Sequence, residues 1–195
     1  MKEKLILASA SPRRRELLER LGLEFEVITA DCDENIEGDL PPAEIVRELS
    51  RRKAFAVMSK LDFPAVVIGA DTIVVDKTRI LGKPKSPEDA VETLMSLSGR
   101  THSVFTGMTI TDGERTITDV RETRITFIRF SRSEAEAYVR TGEPLDKAGS
   151  YGIQGLGGKF VANINGDYYA TVGLSICRLN RFLRDYGFMG PGYGK

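Results

Sequence analysis

The stretch AVVIGADTIVV, residues 65–75, decides the fold of this 195-residue chain. It is β-branched and too apolar for a surface strand, so it predicts a central strand covered on both faces, as strands of α/β sheets are. Asp71 interrupts it. A carboxylate in a buried strand is costly unless it is paired, protonated or bound to a metal. Asp71 is therefore either one half of a structural salt bridge or a group retained for chemistry.

On the N-terminal side, the apolar run 5–8 meets Ser11 and Pro12, a helix N-cap and first-turn pair. Leu17, Leu18 and Leu21 then recur at helical spacing before Gly22, which predicts strand, tight loop, helix. Residues 25–28 predict a second strand, 31–42 an acidic, turn-rich loop, and 43–61 a helix. On the C-terminal side, Ser86-Pro87-Glu88 opens a helix that runs to Leu97. Residues 104–111 and 115–130 alternate as two strands about Asp112-Gly113, and 131–141 is a short helix. Residues 146–167 are glycine-rich with a strand-like piece at 160–164, and 171–186 predicts one last amphipathic helix. With no repeat and no linker, the expectation is one domain over 1–187 and a flexible tail, 188–195.

A hydrophobic content of 41% suits a core that needs no disulfide or metal to hold it. The 28 Lys and Arg balance 28 Asp and Glu, so the field that drives non-specific nucleic-acid binding is missing and any phosphate must be held locally. Cys32 and Cys177 stand far apart without CxxC or histidine neighbours, which predicts two reduced thiols. The apolar stretch in MKEKLILASASPRRR is too short for a signal peptide and no long apolar run follows, so a cytoplasmic protein without membrane contact is expected.

Three cations, Arg13, Arg14 and Arg15, crowd a helix N-terminus where the macrodipole is already positive. The crowding makes sense if an anion docks there, with Ser9 and Ser11 hydroxyls and backbone N–H groups completing a phosphate cradle; a solvated basic face is the alternative. Arg15 is the bystander, since Glu19 lies one helical turn on. Lys53 and Lys83 are candidate charge partners for transferring phosphate oxygens, ordinary surface lysines being the alternative. Glu34, in the acidic loop, could join Asp71 in holding a hard divalent cation, and by spacing alone reads equally as an exposed loop glutamate.

GSYGIQGLGGKF, residues 149–160, is not a P-loop, because Ile153 stands where the first glycine belongs and Phe160 where Ser or Thr is required. Its glycines read as permitting positive φ and close approach to a ligand, with Gln154 able to read a base edge through donor and acceptor together; a turn at the edge of the sheet is the alternative. His102, the single histidine, has no ligand partners at metal spacing and reads as structural.

Taken in order, ASASPRRRELL, the KA of RRKA, GADTIVV, GKP, LSGRTHSVFTG, TGEPLDKAGSYGIQG and the late VGL resemble the Maf-like nucleotide pyrophosphatases, from about Leu5 to the last helix. The resemblance implies an α/β fold with a long mixed twisted sheet flanked by helices and two lobes about a central cleft, the Maf/ITPase-like arrangement. It implies a divalent cation, Mg2+ or Mn2+, a homodimer, and cleavage between the α and β phosphates of a nucleoside triphosphate. The family's catalytic carboxylate falls on Asp71, described as the proton acceptor, and Ser9, Arg14, Glu34, Lys53 and Lys83 match its other polar positions. The members acting on dTTP and UTP are similar to this chain at Arg13, Thr72 and Gln154. The implied arrangement sets the metal between Asp71, Glu34 and the phosphates, with Arg13, Arg14, Lys53 and Lys83 neutralising the leaving pyrophosphate. The family is also associated with septum formation and arrest of cell division, so a regulatory nucleotide-binding protein is the second reading; neutral charge speaks against stable nucleic-acid binding. One departure is Ser175, where many relatives carry proline, which predicts a looser start to the last helix.

Overall fold

The computed structural model describes residues 3–36 and 38–191. Residues 192–195 of the expected tail, residues 1 and 2 of the expected domain and residue 37 of the acidic loop lie outside these. The elements run β1 (Lys4–Leu7), α1 (Pro12–Glu19), β2 (Glu26–Val27), α2 (Pro42–Met58), β3 (Ala65–Asp76), β4 (Arg79–Leu81) and α3 (Pro87–Leu97). They continue with β5 (Thr101–Thr111), β6 (Thr116–Phe127), α4 (Arg132–Val139), β7 (Val161–Asn165), α5 (Tyr168–Val172) and α6 (Ile176–Asp185). Short 3-10 turns, Glu143–Asp146, Ala148–Ser150 and Leu156–Phe160, fill the segment between α4 and β7.

Among the described residues the strands form one mixed sheet in the order β2-β1-β3-β5-β6-β7, with β4 also paired to β3. The stretch that reads as a central strand is central: β1 lies parallel on one side of it and β5 antiparallel on the other. Its side chains alternate between two cores. Val66, Ile68 and Ala70 pack with Leu17 and Leu18 of α1 and with Leu179 and Leu183 of α6. Ala65 and Val67 pack on the opposite face with Ala54 and Val57 of α2. A third core gathers Val74, Leu94, Val104, Phe127, Tyr138 and Phe160 at the far end of the long strands.

Two features of β3 place the site. The first is a gap on one edge: β1 pairs only with residues 65–68 and β4 only with Val74–Asp76, so residues 69–73 have no strand partner on that side. Asp71 and Thr72 sit in the gap. The second is the close seating of α2. A Cβ on Gly69 would lie 2.3 Å from the Ser50 carbonyl oxygen, and one on Gly107 of β5, the partner of Asp71, would lie 2.1 Å from that of Val46. Only glycine lets the helix backbone approach the sheet so closely. The Ser50 and Thr109 hydroxyls close the contact at 2.9 Å.

The helix expected over 171–186 is two helices. Gly173 takes φ +133°, a conformation that ends α5, and the chain runs extended through Ser175 before α6 begins. Strand β4 has no turn signature in sequence, because its hairpin turns through Lys77 at φ 56° rather than through glycine. The strand expected over 115–130 stops at Phe127, where the Ile128 N–H leaves the sheet to donate to the Phe160 carbonyl. Residues 188–191 return to the body of the fold: Phe188 packs beside α6, and Gly190 lies against the Leu21 carbonyl. No helix among the described residues is long and apolar enough to cross a membrane.

Candidate active site

Three separate elements bring their groups to the gap in β3. The loop leaving β1 carries Ser9, which is buried, and Ser11, which caps α1 by accepting the Arg14 N–H at 3.4 Å. From the first turn of α1, Arg14 reaches three oxygens: Ser9 Oγ at 3.2 Å, Thr72 Oγ1 at 3.2 Å and the Gly173 carbonyl at 3.0 Å. The break between α5 and α6 is what exposes that carbonyl. Thr72 is itself fixed by Thr106 Oγ1 at 3.0 Å, and Thr106 donates to the Ala170 carbonyl at 2.7 Å. Every one of these partners of Arg14 is a neutral oxygen. Burial pulls the Arg14 pKa below its ordinary value, the Asp71 charge acting against that and the Arg13 charge with it. A poorly hydrated guanidinium with neutral partners is a standing demand for an anion.

Alternation turns Asp71 to the other face of β3, under α2. Lys53 of α2 donates to Asp71 Oδ1 at 2.5 Å and its ammonium lies 3.0 Å from Glu34 Oε1. No donor among the described residues holds Asp71 Oδ2. The Lys53 and Asp71 side chains are 13% and 11% exposed and Glu34 is 63% exposed, so the inner pair is shielded and Glu34 covers it from solvent. Arg52, the neighbour of Lys53, donates to the carbonyls of Asp33 at 3.2 Å and Asn35 at 2.8 Å, which pins the acidic loop on α2 and presents Glu34. Both carboxylates thus aim at one point, now taken by a cation of the protein's own. Two carboxylates leaving room for water and phosphate oxygens fit a hard divalent ion such as Mg2+. Among the described residues no group of three His, Cys, Asp or Glu side chains is arranged for a metal, so the fit rests on this pair.

A cleft of about 490 Å³ opens on the Thr72 side. Arg13, Arg14, Thr72, Lys83 and Gln154 line it, whereas Ser9, Asp71, Lys53 and Glu34 do not. Arg14 is the link: it touches Ser9 and Thr72, and the charges of Asp71 and Glu34 act on it. Arg13 lies 3.8 Å from Asp146 across the mouth. Arg15 points away and pairs with Glu19 at 2.9 Å. Glu143, Asp146, Lys147 and Tyr151 also line the wall and were not picked out as candidates from sequence. Their signal was present in TGEPLDKAGSY, but nothing in local spacing tells which of those side chains face a ligand.

The family model described as Maf-like protein matches residues 4–186. This chain belongs to the Maf-like family. It is 48% identical to the dTTP/UTP pyrophosphatase of Bacillus cereus (strain G9842) over 94% of this chain and 96% of that protein. It is 49% identical, over the same shares, to the dTTP/UTP pyrophosphatase of Bacillus cytotoxicus. Among solved structures it is similar to the Staphylococcus aureus Ham1 protein, at 14% identity and a TM-score of 0.44 over 64% of this chain and 72% of that one.

One expectation narrows in this Maf-like chain. Of the glycines in 149–160, only Gly149 has positive φ; at Gly152, Gly155, Gly157 and Gly158 a Cβ would crowd the protein's own Glu143, Tyr138 and Ile153. Ser175 stands at the N-cap of α6 and makes no side-chain cap bond to it. Its hydroxyl donates to Asp167 Oδ2, the carboxylate whose other oxygen caps α5 through Tyr169 and Ala170 N–H, so both sides of the Gly173 turn are tied together.

His102 is buried and shares a 2.8 Å hydrogen bond with the Tyr151 hydroxyl. Burial pushes its pKa down from 6.5 to about 4, Asp76 opposing weakly. Below pH 6.5 the unfolded chain takes up a proton that the folded Maf-like chain refuses, so stability falls as pH drops from 6.5 to about 4. The expected loss is on the order of 3 kcal/mol. Urea denaturation at pH 7 and pH 4.5 of the wild type and His102→Gln checks it: carboxylate titration is common to both, and the wild type should lose more. Parallel losses would refute the assignment.

Proposed function

We propose that this chain hydrolyses dTTP and UTP to the monophosphate and pyrophosphate. The observation that carries the reading is the half-buried Arg14 guanidinium, satisfied only by neutral oxygens, beside a shielded carboxylate with one free oxygen. In this reading the base lies in the cleft under Gln154. The triphosphate lies along Arg14, Arg13, Lys83 and Lys53 at the open edge of β3, with its α-phosphorus facing the Asp71 side of the opening. Asp71 accepts the proton of the attacking water through its free oxygen, and the cations neutralise charge on the leaving pyrophosphate. Glu34 and Asp71 would hold a divalent cation, Mg2+ or Mn2+, which would supply polarisation of phosphoryl oxygens. The same reading puts the enzyme in the cytoplasm as a homodimer without a stable nucleic-acid partner; sedimentation at the mass of a single 21.6 kDa chain would count against the dimer.

Pyrophosphate release against a panel of nucleoside triphosphates tests the activity, with dTTP and UTP expected to give the highest kcat/KM and excess EDTA expected to abolish turnover. Gln154→Glu removes the amide donor and turns a carboxylate toward a base carbonyl. It should cost on the order of 1–3 kcal/mol, roughly ten- to a hundredfold, for dTTP and UTP only. A preference for GTP would sink the base assignment but leave the pyrophosphatase standing. No release from any nucleotide would favour the regulatory binding protein.

A further inference from the structure

The loop that carries Gln154 is folded around a single carboxylate. Glu143 Oε2 accepts the Leu156 N–H at 2.8 Å, and Oε1 accepts the Gly157 N–H at 3.1 Å and the Tyr138 hydroxyl at 2.8 Å. The Tyr138 oxygen in turn accepts the Gly152 N–H at 3.0 Å. Both ends of segment 152–157 are thereby tied to one pair of side chains, with exposed Gln154 between them in the cleft wall.

The glycines of the segment are shaped by that pair. A Cβ on Gly155 would lie 2.4 Å from Glu143 Oε2, one on Gly152 2.9 Å from Glu143 Oε1, and one on Gly157 2.6 Å from the Tyr138 oxygen. Tyr138 is anchored in the core, against Phe160. Burial pushes its hydroxyl well above the ordinary tyrosine range, which keeps it a donor. Burial alone would raise the Glu143 carboxyl, but the Leu156 N–H and the Tyr138 hydroxyl outweigh it and hold the group below its usual value. Although Glu143 borders the cleft, three donors of the protein already occupy its oxygens.

The geometry points to Glu143, acting with Tyr138, as the positioning residue for base choice: it holds segment 152–157 in the one shape that presents Gln154 to the cleft. The inference rests on Gln154 reading the base, as proposed above. Glu143→Gln keeps the side-chain shape and sets an amide donor against a backbone N–H. For dTTP and UTP its KM should rise on the order of tenfold while kcat falls much less, and kcat/KM for purine triphosphates should change by about twofold at most. Tyr138→Phe leaves both backbone donors on Glu143 and should move the same ratio in the same direction by a smaller factor. Gln154→Glu serves as reference in the same assay, with circular dichroism reporting the fold of each variant.

Loss of pyrimidine preference in all three variants supports the clamp. Loss in Gln154→Glu with preference intact in Glu143→Gln and Tyr138→Phe overturns the clamp and leaves the base reading standing. Equal losses for every nucleotide in the clamp variants also overturn it, since a general scaffold would behave so. An intact preference in Gln154→Glu removes the base reading and the clamp with it.

Discussion

Asp71→Asn should lower turnover on the order of a thousandfold or more while leaving the fold and most nucleotide binding in place. The substitution is nearly isosteric. Lys53 can still donate to the amide oxygen, and Glu34 remains 3.0 Å from its ammonium, so the buried lysine keeps a counter-charge. What disappears is proton acceptance, because the second oxygen of Asp71, which no donor among the described residues engages, becomes an NH2 group that only donates. Single-turnover measurement of pyrophosphate release separates chemistry from binding. A variant that retains more than a few per cent of the wild-type rate would show that Asp71 is not the proton acceptor.

Gly107→Ala should cost about 2–3 kcal/mol of stability although it adds one methyl group. Its Cβ would lie 2.1 Å from the Val46 carbonyl oxygen and 2.5 Å from the carbonyl carbon, both backbone atoms of α2. No rotamer relieves such a contact, so the helix must move. Asp71 pairs with Gly107 across the strands and Lys53 rides on the same helix, so the shift also separates the ion pair. The melting temperature should drop by roughly 5–10 °C, and activity should fall even at temperatures where the variant is folded. Gly82→Ala, where a Cβ meets open space, is the control and should melt near the wild type. Equal behaviour of the two variants would mean that α2 is not seated on the sheet through this glycine.

Some candidate residues stood out from their surroundings, whereas Thr72, and the weight given to Lys53, Lys83 and Glu34, came from the family resemblance. Asp71 is a charge in an apolar run, the arginines crowd the wrong end of a helix, and Gln154 stands in a glycine-rich segment. Their partners were not legible. The partners of Arg14 include Thr72, 58 positions on, and Gly173, 159 positions on, while Lys53 meets Asp71 across 18. No periodicity spans such distances.

By itself the sequence determined the central buried strand, most of the helices and strands about it, the family, and a short list of polar groups. Hydrophobic period, caps and turn residues act within a few positions of the chain, so local physics suffices for these. Only the tertiary structure decided that β3 is left open at 69–73, and that alternation sets Asp71 and Thr72 on opposite faces of that opening. It alone showed that a Cβ on Gly152, Gly155 or Gly157 would crowd Glu143 and Tyr138. The physical reason is common to all three. Pairing, facing and close approach are relations between segments distant in the chain, and each is settled by what packs against the residue, which the residue's own neighbours in sequence do not encode.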